Sequence, residues 1–223
     1  KNSLIKIGNL EIGLEKPPRI IAEIGINHSG DINTAKKLAD LAAENGADFI
    51  KSQFHIPSEE MSPSAKNVIP PHTSKSIYEI MERCALNEED ESALKNYVED
   101  KGMIFISTPF SRAAADRLER MQVKAYKIGS GECNNLPLLR HVASFGKPMI
   151  ISTGMNDLKS VARTKSLLDQ MKVEYAFLHT TNLYPTPSHL VRLGAMQQMM
   201  EEFPEIEIGL SDHTTSNLAC FSA

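Results

Sequence analysis

The chain has 223 residues, 41% of them hydrophobic and 23% charged, a balance that fits a globular domain and excludes a disordered or membrane-embedded segment. Its formal net charge of −4 argues against nucleic acid or an anionic membrane as the main partner, so an anionic ligand must be met by local cations. No window reaches the ~18 apolar residues of a membrane span and no basic-plus-apolar leader opens the chain, while the three cysteines, odd in number, read as the reduced thiols of a cytoplasmic protein.

In chain order, Leu4–Leu14 predicts a β-hairpin turning at Gly8-Asn9. Seven short apolar runs then alternate with helical patterns: Ile20–Asn27, Phe49–Phe54, Met103–Thr108, Ala125–Ser130, Pro148–Thr153, Tyr175–Thr180 and Glu207–Ser211. Their Ile, Val, Phe and Met content without strict alternation suits strands covered on both faces. Between the first two, Asn33–Asn45 sets Ala35, Leu38, Ala39 and Ala42 on one helical face, with Gly46 as its left-handed terminator. His55–Lys75, with Pro57, Pro63, Pro70 and Pro71, reads as an irregular loop carrying functional residues. Asn87 is an N-cap followed by Glu88, Glu89 and Asp90, and the helix it opens turns Leu94, Tyr97 and Val98 inward before Gly102. Ser111 and Asn156 stand at N-cap positions after later strands. Tyr184-Pro185-Thr186-Pro187 makes a stiff turn that either holds Tyr184 over a ligand or simply packs it. Met196, Met199 and Met200, at helical spacing, read as core, and so do Cys84, Cys133 and Cys220, which lack metal-site spacing.

This alternation implies parallel βαβ units. A doubly wound open sheet lacks its Gly-rich fingerprint here, and such a sheet needs polar strand ends only near its switch point. Here nearly every strand ends in polar residues, which favours an α/β fold of the (β/α)8 TIM-barrel type, with all ends converging on one mouth. Seven strands against the required eight suggest a barrel truncated before its eighth strand, with the N-terminal hairpin added; no boundary divides the single catalytic domain expected over 1–223.

Lys51 and Gln53 share one strand face, and Lys127 lies in a run flanked by Tyr126 and Ile128. A strand lysine is costly unless it is paired or binds an anion. With Thr108, Ser130, Ser152 and Ser211 nearby in the pattern, the two lysines suit a phosphate-plus-carboxylate ligand. The bland alternative pairs each lysine with a carboxylate such as Glu23 or Glu132. His213, after Ser211-Asp212, is a candidate metal ligand or a hydrogen-bonded core histidine; His28, His55 and His179 also sit at strand ends, and spacing does not choose among them. Glu23 is a candidate general acid/base, or the partner of Lys51.

Several strings together are more specific. Ile21-Ala22-Glu23-Ile24-Gly25-Ile26-Asn27-His28, Lys51-Ser52-Gln53, Ser107-Thr108-Pro109-Phe110, Tyr126-Lys127-Ile128-Gly129-Ser130-Gly131-Glu132, Ser152-Thr153-Gly154-Met155, Thr181-Asn182-Leu183-Tyr184-Pro185 and Gly209-Leu210-Ser211-Asp212-His213 resemble, in order, those of the sialic acid synthases. The resemblance, closest to the bacterial N-acetylneuraminate synthases, implies condensation of phosphoenolpyruvate with N-acetylmannosamine or a related N-acetylated amino sugar, giving a nonulosonic acid and phosphate. It implies catalytic roles for Glu23, Lys51, Lys127 and His213. Gln53, Thr108, Ser130, Ser152, Asn182 and Ser211 match phosphoenolpyruvate contacts, and Phe110 and Tyr184 match residues lining the site. It further implies a divalent metal, Mn2+ or Mg2+, with His213 as one ligand and a second histidine on the eighth strand beyond this chain. A full-length homodimer is implied too, in which a C-terminal antifreeze-like domain absent here reaches the partner's sugar site. His72 stands where close relatives carry an asparagine and Thr180 where many carry a cysteine, so the acceptor sugar stays open among N-acetylneuraminic, legionaminic, pseudaminic and spore-coat branches. The alternative from another class is a non-catalytic fragment that binds phosphoenolpyruvate without turnover.

Overall fold

The computed structural model describes residues 4–70 and 73–223, so His72 and Pro71 lie outside the described residues. The chain divides into two compact units, one of Arg19–Lys124 and one of Ala125–Ala223 together with the segment that ends at Pro18. In that segment β1 (Ile5–Ile7) and β2 (Leu10–Ile12) pair antiparallel with Ile7 opposite Leu10, so the turn falls on Gly8 and Asn9 as the sequence predicts. Gly8 has a φ of 60°, the left-handed value that a two-residue hairpin turn requires.

The unit of residues 19–124 runs β3 (Ile21–Gly25), α1 (Ile32–Glu44), β4 (Phe49–Phe54), α2 (Pro57–Glu60), a 3-10 turn (Pro63–Asn67), α3 (Ile77–Cys84), α4 (Glu88–Asp100), β5 (Ile104–Pro109) and α5 (Arg112–Arg120). The three strands are parallel, with Glu23 beside Lys51 and Gln53 beside Thr108. All six residues of β5 are buried, and so are Phe49, Ile50 and Phe54, which is why these runs lack alternation. Helix starts follow side-chain chemistry. Asp31 caps α1 through the amides of Asn33 and Thr34, Asn87 caps α4 through Asp90 (2.8 Å), and Ser111 caps α5 through Ala114 (3.1 Å). Ser76 and Glu79 form a capping box on α3. The stretch expected to be irregular therefore contains α2 and a 3-10 turn, because Pro57 and Pro63 start helical turns where their missing amides cost nothing.

Glu91 of α4 is buried; Arg117 Nη1 lies 3.5 Å from its Oε2, which accepts no hydrogen bond. Burial raises its carboxyl to about 9, against the pull of Arg117. The folded chain therefore keeps a proton that the unfolded chain releases near its ordinary value of 4.5, and stability falls as pH rises from there to about 9. Glu91→Gln keeps the shape and removes the ionisation. It is expected to leave the melting temperature unchanged at pH 4 and to raise stability by about 1–2 kcal/mol at pH 8.5. Thermal melts at both values check this; an equal shift at the two would contradict it.

The unit holding residues 125–223 runs β6 (Tyr126–Ile128), a 3-10 turn (Ser130–Glu132), α6 (Leu136–Ala143), β7 (Met149–Ser152), α7 (Leu158–Met171), β8 (Tyr175–Thr180), a 3-10 turn (Ser188–Leu190), α8 (Leu193–Glu202), β9 (Glu207–Ser211) and α9 (Leu218–Ser222). Its strands β6 to β9 are parallel in chain order, with Lys127 beside Ile150 and Thr180 beside Ser211. The α/β class with parallel strands thus holds in each unit. Three expectations change. Asp157, not Asn156, caps α7 by accepting from the Ser160 amide (2.7 Å), because the Asn156 amide is drawn to the carbonyls of Ser130 (3.0 Å) and Gly154 (2.8 Å). Met196 and Met199 are buried but Met200 is exposed, since it stands on the outer face of α8. Cys84 and Cys133 are buried while Cys220, on the short α9, is exposed. No helix among the described residues is long and apolar enough to cross a membrane.

Candidate functional site

In the unit of residues 19–124 the candidates gather at the C-terminal ends of β3, β4 and β5. Glu23 and Lys51, in register across β3 and β4, form an ion pair. The carboxylate pairing weighed for a lone strand lysine is therefore present at Lys51. Burial draws the Lys51 ammonium down to about 8. Gly25, with a φ of 51°, ends β3 in a bulge, so the strand stops short of the Asn27 expected from sequence. Gln53, two residues on from Lys51, has its Oε1 3.0 Å from His55 Nε2, and His55 Nδ1 lies 2.7 Å from Glu60 Oε1. Phe110 stacks on the His55 ring at 4.4 Å between centroids, and Thr108 is buried beside Gln53. His28 is buried otherwise: its Nδ1 accepts from the Gly30 amide (3.1 Å), and burial lowers its pKa.

In the unit of residues 125–223, Lys127 is only 3% exposed and donates to Ser152 Oγ (2.7 Å) on the neighbouring strand and to its adjacent carbonyl at Ile128 (2.7 Å). Glu132, offered as its possible partner, accepts from Asn135. Ser130 Oγ accepts from the Gly154 amide (3.0 Å), and the Asn182 side-chain oxygen faces the same glycine, buried without a hydrogen-bond partner. A Cβ at Gly154 would collide with Asn182 and stand 2.9 Å from both Ser130 Oγ and the Thr180 carbonyl. Lys127, Ser152, Ser130, Gly154 and Asn182 therefore make a buried polar floor with one cation.

Ser211 ends β9 opposite Thr180. His213 lies just beyond; its Nδ1 donates to the Thr181 carbonyl (2.8 Å), and its own carbonyl accepts from the Thr186 amide (2.8 Å). That bond places a hydrogen on Nδ1, which leaves Nε2 as the ring nitrogen able to meet a ligand. The Tyr184 ring covers His213 at 4.1 Å and is itself 73% exposed, so the proline-flanked turn holds this tyrosine on an imidazole rather than in a core. His179 bonds the Val191 carbonyl and reads as structural. Among the described residues no group of three or more His, Cys, Asp or Glu stands together as a metal cluster. Burial pushes the Cys133 thiol up to about 11, which rules it out as a nucleophile.

Sequence reasoning missed two participants. The His55–Glu60 pair was hidden because Glu60 returns to the strand end only through α2. Gly154 gave the signal of an ordinary turn glycine.

The family model described as the NeuB family matches residues 38–223. An N,N'-diacetyllegionaminic acid synthase from Campylobacter jejuni is 36% identical over 208 residues, 89% of this chain and 61% of that protein. The human N-acetylneuraminate-9-phosphate synthase is 32% identical over 209 residues, 92% of this chain and 58% of its own length. The crystal structure of an N-acetylneuraminic acid synthetase from Leptospira borgpetersenii, in complex with citrate, superposes with a TM-score of 0.88 at 28% identity, covering 97% of this chain and 72% of that one. The chain spans about three fifths of the length of the curated relatives it matches.

Proposed function

The chain belongs to the NeuB family, and on that premise we propose that it forms the phosphoenolpyruvate-binding part of a sialic acid synthase-type enzyme. The proposed reaction joins C3 of phosphoenolpyruvate to the aldehyde of N-acetylmannosamine or a related N-acetylated amino sugar, with water adding at C2 and phosphate leaving. The fold class proposed for the intact protein is the (β/α)8 barrel, on the strand–helix alternation, and its proposed assembly is a homodimer.

The observation that carries this reading is the Lys127 ammonium, 3% exposed and donating to Ser152. A buried ammonium with hydroxyl groups beside it suits phosphate or carboxylate. Lys51, Gln53, Thr108, Ser130, Asn182 and Ser211 take matching anion-contact roles by sequence. Glu23, paired with Lys51, is suited to move a proton at a sugar hydroxyl. His213, with Nδ1 committed to Thr181, would hold a divalent ion such as Mn2+ or Mg2+ through Nε2. Such an ion would polarise the aldehyde as a Lewis acid. Tyr184 and Phe110 would line the site.

The similarity to a legionaminic acid synthase supports a second acceptor class, the 2,4-diacetamido sugars. Phosphate release by the intact protein with Mn2+, screened against N-acetylmannosamine and 2,4-diacetamido sugars, tests both. Release that requires one sugar identifies the reaction and the acceptor. Binding of phosphoenolpyruvate without release under any sugar would replace the catalytic reading with the binding one.

The Lys51 ammonium adds a pH signature. Below about 8 it is charged and attracts the anion; above, it is neutral. Phosphoenolpyruvate affinity is therefore expected to fall about tenfold between pH 7 and pH 9 in the parent and to be weak and flat in Lys51→Met, by calorimetric titration. An equally steep pH dependence in the variant would assign the titration to another group.

A further inference from the structure

We propose that His55 and Glu60 act as positioning residues, which set the polarity that Gln53 presents to an anionic substrate. The inference rests on the reading above, in which Gln53 contacts phosphoenolpyruvate. Both ring nitrogens of His55 face oxygen: Nε2 lies 3.0 Å from Gln53 Oε1 and Nδ1 lies 2.7 Å from Glu60 Oε1. An amide oxygen only accepts, so Nε2 must carry a hydrogen. Nδ1 and the Glu60 carboxyl then share one proton between them, whichever of the two holds it. The second oxygen of Glu60 accepts from the Ile56 amide (3.3 Å), and the rings of His55 and Phe110 lie nearly parallel, 11° apart. Ring and carboxyl side chain are each only 6% exposed, so neither turns freely.

The consequence falls on Gln53. With Oε1 tied to the imidazole, its NH2 group is turned toward Gly25, where a Cβ would stand 3.6 Å from Nε2 and 3.0 Å from Glu23 Oε1. An NH2 group donates to a phosphate or carboxylate, whereas an amide oxygen in its place would repel one. In the opposite tautomer, Nδ1 carries the hydrogen toward Glu60 and Nε2 becomes an acceptor. The favoured Gln53 rotamer is then the flipped one, oxygen outward. Glu60 thus decides, at one remove, whether Gln53 is a donor or an acceptor toward the substrate. His55 lies two residues beyond Gln53, itself two beyond Lys51, so the three stand at every second position where the strand ends.

The test is a double-mutant cycle in the intact protein, read by calorimetric binding of phosphoenolpyruvate and by steady-state kinetics. Glu60→Met removes the carboxyl, so nothing holds His55 with its hydrogen on Nε2. It is expected to raise KM and Kd for phosphoenolpyruvate about 10- to 100-fold with kcat changed much less, the loss of one charge-assisted hydrogen bond. Glu60→Gln, whose oxygen can accept from the Ile56 amide while its NH2 donates to His55 Nδ1, keeps the hydrogen on Nε2 and should bind nearly as the parent does. Gln53→Ala should match Glu60→Met, and the double variant should be no worse than Gln53→Ala alone. His55→Asn serves as the second variant if Glu60→Met fails to fold, with the same expected loss. Additive losses in the double variant, or a Glu60→Met protein that binds normally while Gln53→Ala does not, would overturn the positioning role alone. A silent Gln53→Ala would instead strike at the assignment of Gln53 to phosphoenolpyruvate, and absence of binding in the parent would strike at the proposed function.

Discussion

Lys127→Met is expected to lower kcat/KM for phosphoenolpyruvate by about 1,000-fold, roughly 4 kcal/mol, while leaving the melting temperature equal or higher. The two halves of that result have different causes. Methionine is close in length and apolar, so it can occupy the buried space that the lysine stem fills on its face of β6. Removing the desolvation cost of a buried charge offsets the loss of its bonds to Ser152 Oγ and the Ile128 carbonyl. The anion, in contrast, loses a desolvated cation, and interactions of that kind are worth several kcal/mol when one partner is removed. Ser152→Ala, which removes only the hydroxyl that Lys127 reaches at 2.7 Å, should cost about tenfold. Fluorescence melts beside calorimetric binding separate the outcomes. A Lys127→Met protein that binds phosphoenolpyruvate within tenfold of the parent would remove Lys127 from the anion site. One that melts lower as well as losing affinity would make the lysine a structural element.

The legibility of the fold varied with how local its causes are. Phe49–Phe54, Tyr175–Thr180 and Glu207–Ser211 were readable to their last residue, because an apolar run stops against polar or turn-forming neighbours. The first strand ends earlier than its apolar run suggests, since the left-handed φ at Gly25 is a backbone decision that composition does not reveal. Asn156 and Asp157 are adjacent and equally able to cap a helix. The choice between them is made by the Ser130 carbonyl, more than twenty residues earlier in the chain, which captures the Asn156 amide. The candidate site divides in the same way. The placement of Lys51 beside Glu23, and of Lys127 near Ser152, follows from parallel strands in sequential order, and the sequence pattern contains that order. The fold-back of Glu60 on His55, and the ring of Tyr184 over His213, depend on loop paths set by prolines and packing. No periodicity encodes them.

Gly154→Ala is the second large effect, and it is expected to destabilise the fold by about 1–3 kcal/mol while weakening phosphoenolpyruvate binding. The glycine is required by its surroundings and not by its backbone angles, which lie outside the left-handed region. Its missing Cβ leaves the space that the Asn182 side chain occupies, and the same Cβ would come within 2.9 Å of Ser130 Oγ and of the Thr180 carbonyl. Asn182 and Ser130 are side chains and can turn aside; the carbonyl belongs to β8 and cannot move without disturbing the strand pairing that sets Thr180 against Ser211. The Gly154 amide also donates to Ser130 Oγ at 3.0 Å, so a displaced hydroxyl leaves that amide without its partner. Stability and affinity should therefore fall together in the single variant and come apart in Gly154→Ala/Asn182→Ala. Truncating Asn182 removes the worst collision, so the double variant is expected to regain part of the melting temperature. Its affinity should stay low, because the proposed anion contact has gone with the side chain. If the double variant melts no higher than Gly154→Ala alone, the contact with the Thr180 carbonyl is the dominant one, and the strain lies in the backbone of β8 rather than in the site.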